Sequence, residues 1–431
     1  MKKLFIIILV CICALQAIAY TNRFKELKHY PFGCWQFIDA KVQSEKDVKA
    51  WKDLGLNLVI SPTYFADTTP KEDMIALLDQ CEAQNIKVIL LDRRVSYTEL
   101  SKGEDVYKKQ VQATIDDFGS HPAVVGFYVC DEPNKSNLDL CLKATKINKE
   151  MAPHLSPFVN QNPWGDDAWF PSFLGFDTCE EYVDYICKNG AIDLISMDCY
   201  FQMDPENPDG MDNYFRSLNR YSKEAIKHNL PFYVTNLSVG HYNYMSPNED
   251  NIRWHINTSF AHGANGLMWY SLRPSNLNSN YRDFPINVFG ERTKVFEDLS
   301  FENRIFSFCY DKVAPTLTLK QAYHVYKAYG DTPLFEGNDI ISSVKSKTEV
   351  PVIISFFSDD YVAIVNNSFE KNSYVSFALG KNIKKIDLIK DEGKYIEIYP
   401  NHYGQFKLDP ATNEMGFWLA PGGMELFKIT K

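Results

Sequence analysis

Several common signatures are missing from this chain of 431 residues. No two cysteines form a Cys-x-x-Cys pair, and the nine histidines show no metal-ligand spacing, so neither a structural metal nor a dithiol centre is expected. No glycine-rich loop follows the first strand-like segment, which removes the usual phosphate cradle of a dinucleotide fold, and nothing calls for a cofactor. There is no low-complexity segment and no repeat beyond a strand–helix period. Basic residues are the minority, with 45 Lys and Arg against 55 Asp and Glu and a formal charge of −10. That balance argues against nucleic acid or an anionic membrane as partner.

The longest apolar run, residues 4–15, is too short for a membrane span. It follows Lys2 and Lys3 and precedes Ala17-Ile18-Ala19, the pattern of an export leader. Cleavage after Ala19 is expected, giving a periplasmic or extracellular protein. Ile12 and Val10, before Cys13 and Cys11, are bulkier than a lipoprotein signal accepts. Of the cysteines beyond the leader, Cys34, Cys130 and Cys199 fall in strand-like segments and are expected to fill the core.

The segment around which the chain is organised is residues 123–134, AVVGFYVCDEPN. An apolar run without clean alternation fits a strand covered on both faces, as in a parallel sheet. Pro133 ends it and leaves Asp131 and Glu132 at its C-terminal end. Seven similar strands are expected, near residues 31–37, 56–65, 86–94, 156–163, 192–201, 230–238 and 265–272, with amphipathic helices between them. Eight such units predict a (β/α)₈ barrel over residues 20–333, whose last helix ends near Ala328. From residue 334 short alternating segments broken by Asn, Asp and Gly predict a C-terminal antiparallel β-sandwich over 334–431.

In a barrel of this kind the loops after the strands carry the chemistry. Those ends bring Tyr64 after the second strand, Asn160 and Trp164 after the fifth, and Asp198 and Tyr200 after the sixth. The seventh adds Asn236, His241, Tyr242 and Tyr244, and the eighth Trp269, Tyr270 and Arg273. Any one aromatic at a strand end most often caps the core. The whole set, beside Asn, Asp and Arg, is what a carbohydrate cleft needs, since rings stack on the C–H face of a sugar while polar groups read its hydroxyls. Glycoside hydrolysis needs a proton for the departing oxygen and a carboxylate facing the developing positive charge. Glu132 is the natural acid, because a neighbouring carboxylate and aromatic walls disfavour its ionised form.

The run HPAVVGFYVCDEP resembles the fourth-strand segment of the large clan of (β/α)₈ glycoside hydrolases, in which Asn-Glu-Pro or Asp-Glu-Pro ends the strand and the Glu is the acid/base. The barrel-then-sandwich order, closing on FWLAPGGMELFKI, resembles that clan as well. Its retaining members carry a nucleophilic Glu at the end of the seventh strand, where this chain has Asn236. Three alternatives follow. Asp131 and Glu132 resemble the Asp-Glu pair of β-hexosaminidase-like enzymes, which implies that Asp131 orients a substrate acetamide, with Tyr200 on its carbonyl. Alternatively Asp198 is the second carboxylate. In the third, the barrel binds glycans without cutting them.

Overall fold

A computed structural model describes residues 20–42, 45–399 and 406–431; the expected leader, residues 1–19, lies outside them. Eight parallel strands form one sheet: β1 (Phe32–Cys34), β2 (Leu58–Ile60), β3 (Lys87–Leu90), β4 (Val124–Asp131), β5 (Ser156–Gln161), β6 (Ile195–Asp198), β7 (Phe232–Leu237) and β8 (Gly266–Tyr270). From β2 to β8 each strand pairs with its sequence neighbour, and β1 pairs with β8, Phe32 opposite Leu267. Between β1 and β2 the Asn57 amide donates to Phe32 O at 3.0 Å and Thr63 to Ile38 O at 2.7 Å, which nearly closes the barrel.

The helices are α1 (Glu45–Asp53), α2 (Lys71–Ala83), α3 (Glu104–Thr114), α4 (Leu138–Met151), a short α5 (Phe170–Leu174), α6 (Cys179–Asn189), α7 (Gly210–Lys227), α8 (Glu249–Ala261) and α9 (Lys294–Tyr310). Their apolar faces cover the outside of the sheet, while Leu58, Ile60, Ile89, Phe158 and Met268 fill its interior. Strands buried on both faces are therefore apolar throughout, which is why they read as unbroken runs. Gly126, the one break in β4, lies opposite Ser156 of β5, and a Cβ there would collide with the Ser156 carbonyl.

The C-terminal part holds two antiparallel sheets. One contains β10 (Ile341–Ser346), β13 (Ser373–Leu379), β17 (Glu414–Leu419) and β16 (Lys407–Asp409). The other runs β15 (Lys394–Ile398), β14 (Lys385–Lys390), β18 (Met424–Thr430), β12 (Tyr361–Asn366), β11 (Val352–Phe357) and β9 (Leu319–Val325). The helix expected to end near Ala328 is instead strand β9, paired with β11 through Val325 and Val352. A short, half-polar stretch has no decisive local period, and the unpaired edge of β11 decides it. The last barrel helix is α9.

The sandwich is fastened to α8 and α9. Ile353, Phe357, Ala363, Val365 and Leu426 belong to the same core as the barrel helices, and Phe357 stacks on Phe260 with centroids 5.0 Å apart. Trp254 of α8 donates its indole N–H to Asn367 Oδ1 at 2.8 Å. Gly422, at φ +66°, lies so close that a Cβ would stand 2.5 Å from Trp254 Cα. The cysteines of the described residues are free thiols, and all but the half-buried Cys187 are buried. Among the described residues no helix is long and apolar enough to cross a membrane.

Candidate active site

The site is made by an irregularity in β4. Tyr128 is opposite Phe158 and Cys130 is opposite Val159, so one extra residue is inserted between them. Tyr128 faces the barrel interior, whereas Val129 and Cys130 both join the outer layer. Strict alternation from Tyr128 would send Asp131 outward; the bulge returns it to the interior, opposite Asn160. Glu132 then turns the chain in the left-handed region, φ +43°, with its amide donating to Asn160 O at 2.9 Å. Such a conformation costs a non-glycine residue about 1–3 kcal/mol and concentrates at functional sites.

Asn160 gathers the acids. Ser196 donates to Asn160 Oδ1 at 3.1 Å, which fixes the amide so that Nδ2 points to Asp198 Oδ1 at 3.0 Å and Asp131 Oδ1 at 3.3 Å. The Asp198 carboxyl lies close enough to that of Glu132 for each to affect the other's ionisation. The Tyr128 phenol lies beside Asp131 and favours its ionised form.

All three acids are pushed up from the ordinary carboxylate range. Asp131 rises to about 7, first through desolvation and then through the Glu132 charge, with partial relief from Asn160 and Tyr128. Glu132 rises through desolvation, with relief from Asp198. Asp198 is raised well above its ordinary value by desolvation and then by the charges of Glu132 and Asp131. Water nonetheless reaches Asp131 and Glu132, while Asp198 is half-buried. They lie at the bottom of a cleft, surrounded by protein yet wet, and screening tempers the size of the effect without changing its direction.

Rings wall the cleft. Tyr200 stacks on Tyr270 at 6.1 Å and meets Tyr244 edge-on at 5.8 Å. Trp35 packs edge-on against Tyr128 at 5.5 Å. Desolvation, Asp198, Tyr270 and then the other two acids hold the Tyr200 phenol neutral. Trp35 and Phe37, just beyond β1, and Tyr128, inside β4, were not among the sequence candidates; once the inward face of each strand is known, continued alternation identifies them.

Of the eight binding candidates, Asn160 and Tyr200 stand at the acids, and Tyr242 and Arg273 lie on the rim. Tyr242 is 70% exposed beside His241, and Arg273 is paired with Asp47 at 2.7 Å. The other four face away. Tyr64 packs on Phe118 under the Arg94 guanidinium. Trp164 is buried against Phe170 and Tyr182. Trp269 points outward, donating to Asn303 of α9 at 3.1 Å. Asn236 also faces outward, accepting from Gln202 and donating to Ser259 of α8, both at 3.3 Å. Thr235 is the inward residue there, accepting from Trp35 Nε1 at 3.3 Å. For Asn236 and Trp269 the cause is strand alternation, which sends every second side chain to the helix layer, whereas Tyr64 and Trp164 lie in the loops beyond β2 and β5.

Among the described residues two groups of acids and histidine have metal-like proximity, Asp79–Glu82–His121 and Asp184–Glu224–His228. Both lie on the outer surface, and in the second the Lys227 ammonium already contacts Asp184 at 2.9 Å and Glu224 at 3.2 Å. A cavity of about 790 Å³ between α6, α7 and β9 is remote from the acids. Its Arg220 is already paired with Asp167 and Asp331, and size alone does not outweigh the chemistry at the barrel mouth.

No family model and no curated protein matches the sequence. Among solved structures, the chain is similar to a catalytic mutant of a family 42 β-galactosidase from G. stearothermophilus. The identity is 10%, covering 94% of this chain and 99% of that one, with a TM-score of 0.57. It is also similar to a family 5 glycoside hydrolase from Bacteroides vulgatus, at 11% identity over 93% of this chain and 89% of that one, with a TM-score of 0.56. At such identities the likeness is one of fold, a (β/α)₈ barrel followed by a β-sandwich.

Proposed function

We propose that the chain is a glycoside hydrolase that cuts at the mouth of the barrel, with Glu132 as proton donor. The observation that carries this is the cluster of three acids gathered at Asn160, where desolvation favours a proton on Glu132. A glycosidic oxygen arriving beside Glu132 takes that proton as its bond to the anomeric carbon breaks. The negative charge left on the cluster then faces the oxocarbenium-like carbon. Water completes the reaction, and its proton returns to Glu132.

Inverting enzymes hold their carboxyls roughly 6.5–9.5 Å apart to admit a water. We read Asp198, held on Asn160 beside Glu132, instead as the nucleophilic carboxylate of a retaining reaction, a class whose two carboxyls stand about 5–5.5 Å apart. A second reading has its own support: desolvation and two neighbouring charges disfavour the ionised form of Asp198, and only the ionised form is a good nucleophile. In that case Asp131 and Tyr200 hold a substrate acetamide that attacks instead. The non-catalytic alternative rests on the missing seventh-strand Glu: Asn236 faces Ser259 rather than the cleft, and β7, FYVTNL, carries no Glu at any position.

The test is a screen of aryl hexosides and N-acetylhexosaminides, followed by proton NMR of the first anomer released. A retained product is expected, and an inverted one would exclude both routes. We also propose export, for which N-terminal sequencing of the mature protein should begin at Tyr20.

A further inference from the structure

Beside the acids, a pocket of about 230 Å³ opens under the loop that follows β8. It shares Tyr270 with the cleft, the ring on which Tyr200 stacks. Phe37, 41% exposed, forms one wall and lies 6.2 Å from Tyr270. The facing wall is a pile of nearly parallel rings: His241 on Tyr281 at 5.0 Å and 1°, then Tyr281 on Phe284 at 5.7 Å and 19°. The Tyr281 hydroxyl meets that of Tyr270 at 3.0 Å, which joins this wall to the cleft.

Polar groups line the same pocket. Arg273 spends one guanidinium N–H on Asp47, which neutralises its charge and leaves the rest of its planar fork for the pocket. The Asn276 side chain is exposed on the loop. Ring faces with amide and guanidinium donors suit a sugar ring, with its apolar C–H face and its edge of hydroxyls. The volume is below the ~300 Å³ at which drug-sized pockets begin, so it suits one ring rather than a chain. Because Asp47 balances Arg273, the pocket offers no net charge to attract an anionic sugar.

We propose that this pocket is a second sugar subsite, so that the substrate is an uncharged oligosaccharide of two or more units, cut where its next unit meets the acid cluster. This rests on the hydrolase reading above. The experiment compares kcat/KM for aryl β-glucoside, β-galactoside, β-mannoside and N-acetyl-β-glucosaminide with the aryl glycosides of their β-1,4-linked trisaccharides. For the sugar that is cut, lengthening should raise kcat/KM at least about tenfold, since a ring–sugar contact of 1.4 kcal/mol is a factor of ten. Phe37→Ala and Asn276→Ala should each lose most of that gain, and a thermal melt monitors whether the variants stay folded. Turnover with no gain from length, or a gain that both folded variants keep, overturns the subsite alone. If no glycoside of either length is cut, the hydrolase reading falls and the subsite with it.

Discussion

The Asn160 amide donates to the Asp198 carboxyl at 3.0 Å, and the same nitrogen reaches Asp131 at 3.3 Å. It is the neutral donor shared by acids that otherwise raise one another. Asn160→Ala should raise the pKa values of Asp131 and Asp198 further and cost about a hundredfold or more in kcat. The acidic limb of the pH–rate profile should move to higher pH, because the acids that must ionise will do so later. An unmoved limb with unchanged rate would show that Asn160 plays no part.

Glu132→Gln removes the proposed proton donor while keeping its shape. Turnover of substrates with poor leaving groups should fall by about two to four orders of magnitude. Substrates with very acidic leaving groups need little protonation and should lose far less. Equal losses on both, or none, would place the acid elsewhere.

Asp131 also affects stability. Its pKa is raised in the folded chain to about 7 from an ordinary 3.8, so the native state holds a proton that the unfolded chain has already released between those values. Stability therefore falls as pH rises from about 4 to about 7. Asp131→Asn should melt at the same temperature as the parent near pH 4 and above it at pH 8. A lower melting temperature for the variant at pH 8 would reverse this account.

Asn236 lies in the strand–helix layer between Gln202 and Ser259. Asn236→Glu should therefore not supply a nucleophile. It should leave a buried charge without a cationic partner, destabilising the fold by about 3 kcal/mol or more, with activity no higher than the parent's. A gain in hydrolysis would mean that the side chain reaches the cleft after all.

The joint between barrel and sandwich depends on Gly422 against Trp254. Gly422→Ala adds a Cβ 2.5 Å from the Trp254 backbone at a φ of +66°, so it should cost about 1–3 kcal/mol, read as a fall in melting temperature. An unchanged melt would show that the joint yields.

Much of this architecture was legible in local sequence. Strands buried on both faces must be apolar from end to end, so the runs around Leu58, Val88, Val124 and Val234 identified themselves, and Pro133 marked where β4 stops. β9 was not legible: LKQAYHV has no decisive period, and its partner β11 lies some thirty residues further on.

The candidate site divides in the same way. The sequence by itself determined that Asp131, Glu132 and Asp198 sit at strand ends on one rim of a parallel barrel, because proline and the strand–helix period fix where strands end. Which side of the wall each residue faces was decided only by the tertiary structure. Inward and outward positions alternate residue by residue, so one bulge at Val129 turns Asp131 inward, and parity turns Asn236 and Trp269 outward. A chain buried on both faces carries no polar–apolar alternation to reveal that parity; it is set by pairing between strands distant in sequence.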